Sequence, residues 1–102
     1  MATNYLLSRS YQILARNKTY GIGEVDIIAK DGDVIVLVEV KAGSTTKYGL
    51  PLERVDRRKQ AKLRKLAARV SQEYPDSCLR IDVIDVAGDG QVAHIISAVE
   101  AE

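Results

Sequence analysis

Between Gly23 and Lys41 the chain reads GEVDIIAKDGDVIVLVEVK, and its apolar positions alternate or run together instead of recurring every three or four residues. That period, with Ile and Val prominent, predicts two β-strands, and Asp31-Gly32 between them predicts a two-residue hairpin loop. With that loop, Lys30 faces Asp33, Ile28 faces Ile35, Asp26 faces Leu37 and Glu24 faces Glu39. Alternation then places Glu24, Asp26, Ile28, Ile35, Leu37, Glu39 and Lys41 on one face. The second run, Val34 to Lys41, is almost unbroken, as in a strand covered on both sides in mid-sheet.

The remaining pattern supplies the elements around this hairpin. Ala2 to Ser8 suits one or two turns of helix with Tyr5 and Leu6 as its apolar contacts, and Tyr11 to Arg16 suits a first strand ending in a turn at Asn17-Lys18. Residues 42–51, AGSTTKYGLP, read as a loop. From Leu52 the period becomes helical, with Leu52, Val55, Leu63, Leu66, Ala67 and Val70 on one side, Pro51 at the start and Pro75 beyond the end. Leu79 to Ala87 predicts a strand, Gly88-Asp89-Gly90 a turn, Gln91 to Ile96 a last strand and the tail SAVEAE a frayed end. The order is α-β-β-β-α-β-β, without internal repeats.

Composition narrows the class. At 102 residues, 46% hydrophobic and 28% charged, the chain has the make-up of one soluble globular domain spanning residues 1–102. One cysteine, Cys78, and one histidine, His94, exclude a disulfide or a tetrahedral Cys/His zinc site within one chain, and favour a reducing setting. No apolar run reaches bilayer length and MATNYLLSRS lacks a signal-peptide pattern, so the cytoplasm is expected and a membrane partner is not.

The net charge of +1 hides an uneven distribution. The helical stretch carries Arg54, Arg57, Arg58, Lys59, Lys62, Arg64, Lys65 and Arg69 against only Glu53 and Asp56. A solvated structural face intersperses acids for i,i+4 pairing, whereas this imbalance suits an anionic partner such as nucleic acid.

The hairpin carboxylates point to a second kind of partner. Two of them roughly 5 Å apart repel by about 3 kcal/mol at an effective dielectric of about 20, which a divalent cation or a shared proton would offset. Mg²⁺ fits best, since it takes one or two carboxylates, a main-chain carbonyl and waters. Glu39-x-Lys41 alone carries little, because on an exposed strand such a pair is ordinarily a cross-strand ion pair; its embedding in an apolar strand favours the cation site. Asp82 and Asp85 read as strand-edge and turn residues, His94 as a surface or half-buried side chain, and Cys78 as a small apolar filler. The five tyrosines read as packing residues, with Tyr48 in the loop beside the proposed site.

ILARN at 13–17, GEVDIIAKDGD at 23–33, VLVEVKA at 36–42, the YG-P-ERVDRRKQAKL run at 48–63 and RIDVIDV at 80–86 resemble the YraN family over most of the chain. The resemblance implies an α/β (α+β) three-layer restriction-endonuclease-like fold of the PD-(D/E)XK type, with a central mixed β-sheet of four to five strands flanked by helices, near the Holliday junction resolvases. It puts Asp26 at the motif's aspartate, Glu39 at its (D/E) and Lys41 at its lysine, with the Val40 carbonyl as a further metal ligand and Glu24 as an outer one. Gln60 resembles a glutamine that some of these nucleases place beside the site. Family members begin with a longer helix bearing an acidic residue near the metal, and this chain has no acid before Glu24, so its site is expected to work with fewer ligands or to be a shortened version.

The implied chemistry is Mg²⁺-dependent phosphodiester hydrolysis in DNA, branched or single-stranded, with Mn²⁺ as a substitute cation. Asp26 and Glu39 would hold the metal, Lys41 would orient or deprotonate the attacking water, and Arg54, Arg57, Arg58, Lys59, Gln60, Lys62 and Lys65 would contact nucleic acid. A second reading is a nucleic-acid-binding or accessory module that kept the fold and lost the chemistry. A third is an assembly protein forming a homodimer. The hydrolytic reading requires Asp26 and Glu39 to meet at one cation-sized spot.

Overall fold

In the computed structural model, which describes residues 1–42 and 57–99, the apolar run Val34–Ala42 forms the central strand, β3. Its middle residues offer water nothing polar, and Ile35, Val36, Leu37 and Val38 are exposed by 2% or less. A five-stranded sheet is built around it in the order β1 (Gln12–Tyr20), β2 (Gly23–Asp31), β3, β4 (Cys78–Val86) and β5 (Val92–Val99). Neighbours are antiparallel except β3 and β4, which are parallel and therefore need the long connection that contains helix α2 (Arg57–Ser71).

Each face of the sheet has its own core. Leu63, Leu66, Ala67 and Val70 of α2 pack on Ile28, Ile35, Leu37, Ile81 and Val83. On the other face, Ala2 and Leu6 of helix α1 (Ala2–Ser8) pack with Ile27, Ala29, Val36, Val38 and Ile84. Burying such side chains contributes about 1.5–3 kcal/mol each, which is why strands this apolar settle between two layers of helix.

Several details differ from the sequence reading. Asp31 pairs with Val34, so the hairpin loop is Gly32-Asp33, with Gly32 at φ 60, in place of Asp31-Gly32. Both dipeptides offer a residue suited to positive φ, and the cores decide between them. The two-residue slip keeps every face but changes every partner: Ile28 lies opposite Leu37 and Lys30 opposite Ile35. The expected turn at Asn17-Lys18 is strand, because β1 runs on to Tyr20; Asn17 expresses its turn preference locally, at φ 51. The last strand runs to Val99, which is 3% exposed opposite Ile81, so Ser97–Val99 is not a frayed tail. Leu52, Val55, Arg54, Pro51 and Tyr48 lie outside the described residues.

Asp82, Asp85 and Cys78 also depart from expectation, whereas His94 is half-buried on the last strand as expected. Asp82 is fully buried and Asp85 is 2% exposed, both inside β4 between two neighbouring strands, whereas Cys78 is exposed. The Asp82 carboxylate accepts from Arg80 Nε at 2.9 Å and Arg80 Nη2 at 3.0 Å, from the Ser97 amide at 3.0 Å, and shares a proton contact of 2.7 Å with His94 Nε2. His94 Nδ1 in turn meets the Tyr5 hydroxyl at 3.2 Å, and Arg80 reaches Tyr11 at 2.7 Å and Asp31 at 3.1 Å. The hydrogen bond to Asp82, above all, holds the Arg80 guanidinium above its ordinary pKa.

Tyr20 provides a pH test of the packing. Burial, aided by its 2.8 Å hydrogen bond to Glu73, pushes its hydroxyl up to about 12 from 10.0. A raised folded-state pKa gives stability that is complete below pH 10 and disappears as pH rises through about 12. The expected loss across that window is about 2 kcal/mol, absent in Tyr20→Phe. Urea unfolding at pH 9 and pH 11.5 checks it, and equal losses in both proteins would refute it.

Candidate functional site

The β2–β3 ladder ends at Ile27 and Val38, and one step beyond it the two strands part. Val40, the next residue of β3 turned toward β2, has no backbone partner there in the ladder; its N–H donates to Asp26 Oδ2 at 2.8 Å. A side-chain carboxylate thus replaces a main-chain acceptor. In an extended strand the N–H and C=O of one residue face the same edge, so the Val40 carbonyl is turned toward the same gap. Asp26, Val40, Arg16 and Asn17 line an open cleft of about 320 Å³ beside Ala2 and Thr3 of α1.

Glu39 faces the other way. It shares the face of Leu37, is 9% exposed, and its Oε2 lies 2.9 Å from Lys59 Nζ on α2. Strict alternation would have put Asp26 on that face too, but alternation fails in β2: Val25 and Ile28, three apart, both belong to the α2-side core. Asp26 sits at the step between them, edge-on to the sheet. The two carboxylates therefore do not converge on one face; they flank the Val40 main chain from two sides.

The other expected site residues are placed as follows. Lys41 is half-buried next to Glu39 along the strand and in parallel register with Asp85, which shares its face. Glu24 is exposed, pairs across β1 with Thr19, and lies past the end of the β2–β3 ladder, so it does not join the cleft. Gln60 is half-buried and accepts from Arg64 at 3.5 Å. Arg57, Arg58, Lys62 and Lys65 are exposed on α2, whose described residues include no acid, and Arg58, Lys62 and Lys65 border a shallow depression with Ile22 at the β1–β2 turn. Gly23 permits this close approach, because a Cβ there would lie 2.7 Å from Lys62 Cε.

Whether a cation fits is decided by the donors. Among the described residues no three Asp, Glu, His or Cys side chains gather into a ligand set. Mg²⁺ does not need one, since it keeps several waters and takes one or two carboxylates. Asp26 has one oxygen engaged by Val40, and Glu39 is already compensated by a positive group, the Lys59 ammonium. This donor set suits a hydrated hard cation better than a tightly caged one. Sequence reasoning missed Lys59 as the partner of Glu39, and also Arg16, Asn17 and Asp85; only the αL preference of Asn offered a signal.

The mixed sheet set between helices places the chain in the restriction-endonuclease-like fold class. A repair endonuclease from Pyrococcus abyssi aligns with a TM-score of 0.55 at 18% identity over 87% of this chain and 38% of its own. EndoMS in a complex with dsDNA aligns with a TM-score of 0.52 at 20% identity over 78% of this chain and 32% of its own. The chain thus spans about a third of the length of those proteins, and the likeness concerns the fold. It belongs to the Uncharacterised protein family UPF0102, the YraN family, whose pattern matches residues 1–86. UPF0102 proteins of Thermodesulfovibrio yellowstonii and Clostridioides difficile are 43% and 40% identical to it, covering 96% of this chain and 88% and 89% of their own. No helix among the described residues is long and apolar enough to cross a membrane.

Proposed function

We propose that the protein is a divalent-cation-dependent nuclease acting on DNA. The observation that carries this is the Asp26 carboxylate held on the Val40 amide, in the middle of Glu39-Val40-Lys41. A cation at this point would take Asp26 and the Val40 carbonyl as ligands, with Glu39 joining only by leaving Lys59 and turning from the opposite face, and Mg²⁺ or Mn²⁺ bound there would acidify a water and stabilise charge on the phosphoryl oxygens. Lys41 would orient that water, and Lys59 holds Glu39 compensated. The exposed basic residues of α2 bind the phosphate backbone without reading sequence. That one structural neighbour is a repair endonuclease by name and another is seen in a complex with dsDNA supports the choice of substrate.

The pairing of Glu39 with Lys59, on the face away from Asp26, favours a second reading in which the fold binds nucleic acid without cutting it. Branched, single-stranded and duplex DNA incubated with Mg²⁺, Mn²⁺ or EDTA separates the two. Divalent-dependent cleavage supports the nuclease; salt-sensitive binding with no cleavage under either ion establishes the accessory module. Absence of DNA binding leaves the dimeric assembly protein, which sedimentation tests directly.

Binding itself has an expected salt signature. Each phosphate contact removed lowers the slope of log K against log salt by about 0.7–0.9. Replacing Arg58, Lys62 and Lys65 together by Gln is expected to reduce it by about two, measured by fluorescence anisotropy between 50 and 200 mM salt. An unchanged slope would remove α2 from the interface.

A further inference from the structure

Asn17 adopts φ 51 in the middle of β1, between Arg16, which pairs with Ile27, and Lys18, which pairs with Val25. The left-handed region costs a residue with a Cβ about 1–2 kcal/mol, and Asn is among the few that enter it. The ladder gains and loses no residue at this level, so the conformation is not a bulge. Its effect is rotation. In β1, Leu14 and Ala15, at the register shift that follows Ile13, and Tyr20 all pack on the α2-side core, Ala15 and Tyr20 being five apart; in β2, Val25 and Ile28, three apart, do the same. Both strands change face at one level, that of Asn17 and Asp26.

That change of face is what leaves Asp26 edge-on. Had β1 and β2 continued regularly, Asp26 would point with Ile28 into the α2-side core, where its carboxylate would be stranded among apolar side chains. Instead it meets the Val40 amide at 2.8 Å and lines the cleft with Arg16 and Asn17. Arg16 is exposed and makes no ion pair or side-chain hydrogen bond among the described residues. The cleft, about 320 Å³ and open, lies at the small end of the range for ligand sites, so it suits a phosphodiester group better than a whole nucleotide.

Resting on the nuclease reading above, we propose that Asn17 is the positioning residue that sets the Asp26 carboxylate, and that Arg16 beside it in the cleft is an anion contact for a phosphate of the bound strand. Strain held at a functional level of a strand is understandable if it aims a ligand, and here the strained residue lies directly across the ladder from the aspartate it aims.

Amide hydrogen exchange at Val40 reads the Asp26 bond without reference to activity. Asp26→Ala is expected to speed that exchange by about tenfold or more, as befits a lost bond to a charged acceptor. Asn17→Val, which excludes positive φ, speeds it equally; Asn17→Gly, which keeps it, stays within about twofold of the parent. Asn17→Ala, a milder change, falls between them and covers the case in which the Val variant does not fold. Mn²⁺, followed by paramagnetic broadening at Asp26 and Val40, is bound about tenfold more weakly by Asn17→Val than by Asn17→Gly. Arg16→Ala raises KM for DNA at least about tenfold more than it lowers kcat, as a lost ground-state phosphate contact does. Unchanged Val40 exchange in Asn17→Val, or equal damage from Gly and Val, overturns the role of Asn17, and an unchanged KM overturns that of Arg16. If Mn²⁺ broadens nothing near Val40 in the parent protein, the nuclease reading fails and the phosphate contact with it, while Val40 exchange still decides what aims Asp26.

Discussion

Asp26→Asn is expected to lower Mg²⁺-dependent DNA cleavage on the order of a thousandfold, the several kcal/mol that a metal contributes to transition-state charge stabilisation. DNA affinity measured in EDTA should be unchanged. The amide is the informative replacement, because its oxygen still accepts from the Val40 N–H while its lost charge no longer holds a hard cation. Thermal unfolding should therefore stay within a few degrees of the parent, which separates loss of ligand from loss of structure. Retained cleavage in Asp26→Asn would remove this residue from the cation site and leave Glu39 and Lys41 without a partner. Loss of cleavage together with a collapsed melting curve would show only that the strand junction is structural.

The largest stability effect is expected at Asp82. Its carboxylate is fully buried and compensates Arg80, contacts His94 and caps the Ser97 amide. Asp82→Ala leaves a guanidinium 17% exposed, and a half-buried imidazole, without their shared acceptor. Removing one member of a buried pair costs about 3–5 kcal/mol, a large share of the roughly 5–15 kcal/mol by which a domain is stable. A fall in melting temperature on the order of 15 °C follows. Urea unfolding at an unchanged m-value would confirm it, and a loss under 1 kcal/mol would show that water satisfies Arg80 instead. Asp82→Asn, which keeps an acceptor, should lose less.

These two aspartates also show what sequence conveys and what it withholds. The element order, the central strand and the basic helix follow from periods of two and of three to four, because burial of Val, Ile and Leu dominates the energetics and leaves its rhythm in the chain. Asp82 breaks that rhythm: a charge amid LRIDVIDV reads as a surface position unless its partners are known. Arg80 stands two residues away on the same side of the strand, but His94 and Ser97 arrive from another strand through a pairing that no local pattern specifies. Asp26 was legible as a candidate and misread in direction. Alternation is a rule for unstrained strands, and the one backbone angle at Asn17 that suspends it belongs to the neighbouring strand. The hairpin register failed for a smaller reason, since Asp-Gly and Gly-Asp serve a tight loop about equally well.

Asn17 has a counterpart at the opposite border of the sheet. The two outer strands are β1 and β5, and each contains one non-glycine residue at positive φ, Asn17 at 51 and Ser97 at 56. Outer strands that lie straight recruit a further strand from another molecule, and proteins deter this with twists and with lysines. Both borders here carry such a positive-φ residue within the strand, mid-length in β1 and near the end of β5, and β1 adds Arg16 and Lys18 beside it. Self-association by sheet extension is thereby opposed on either side.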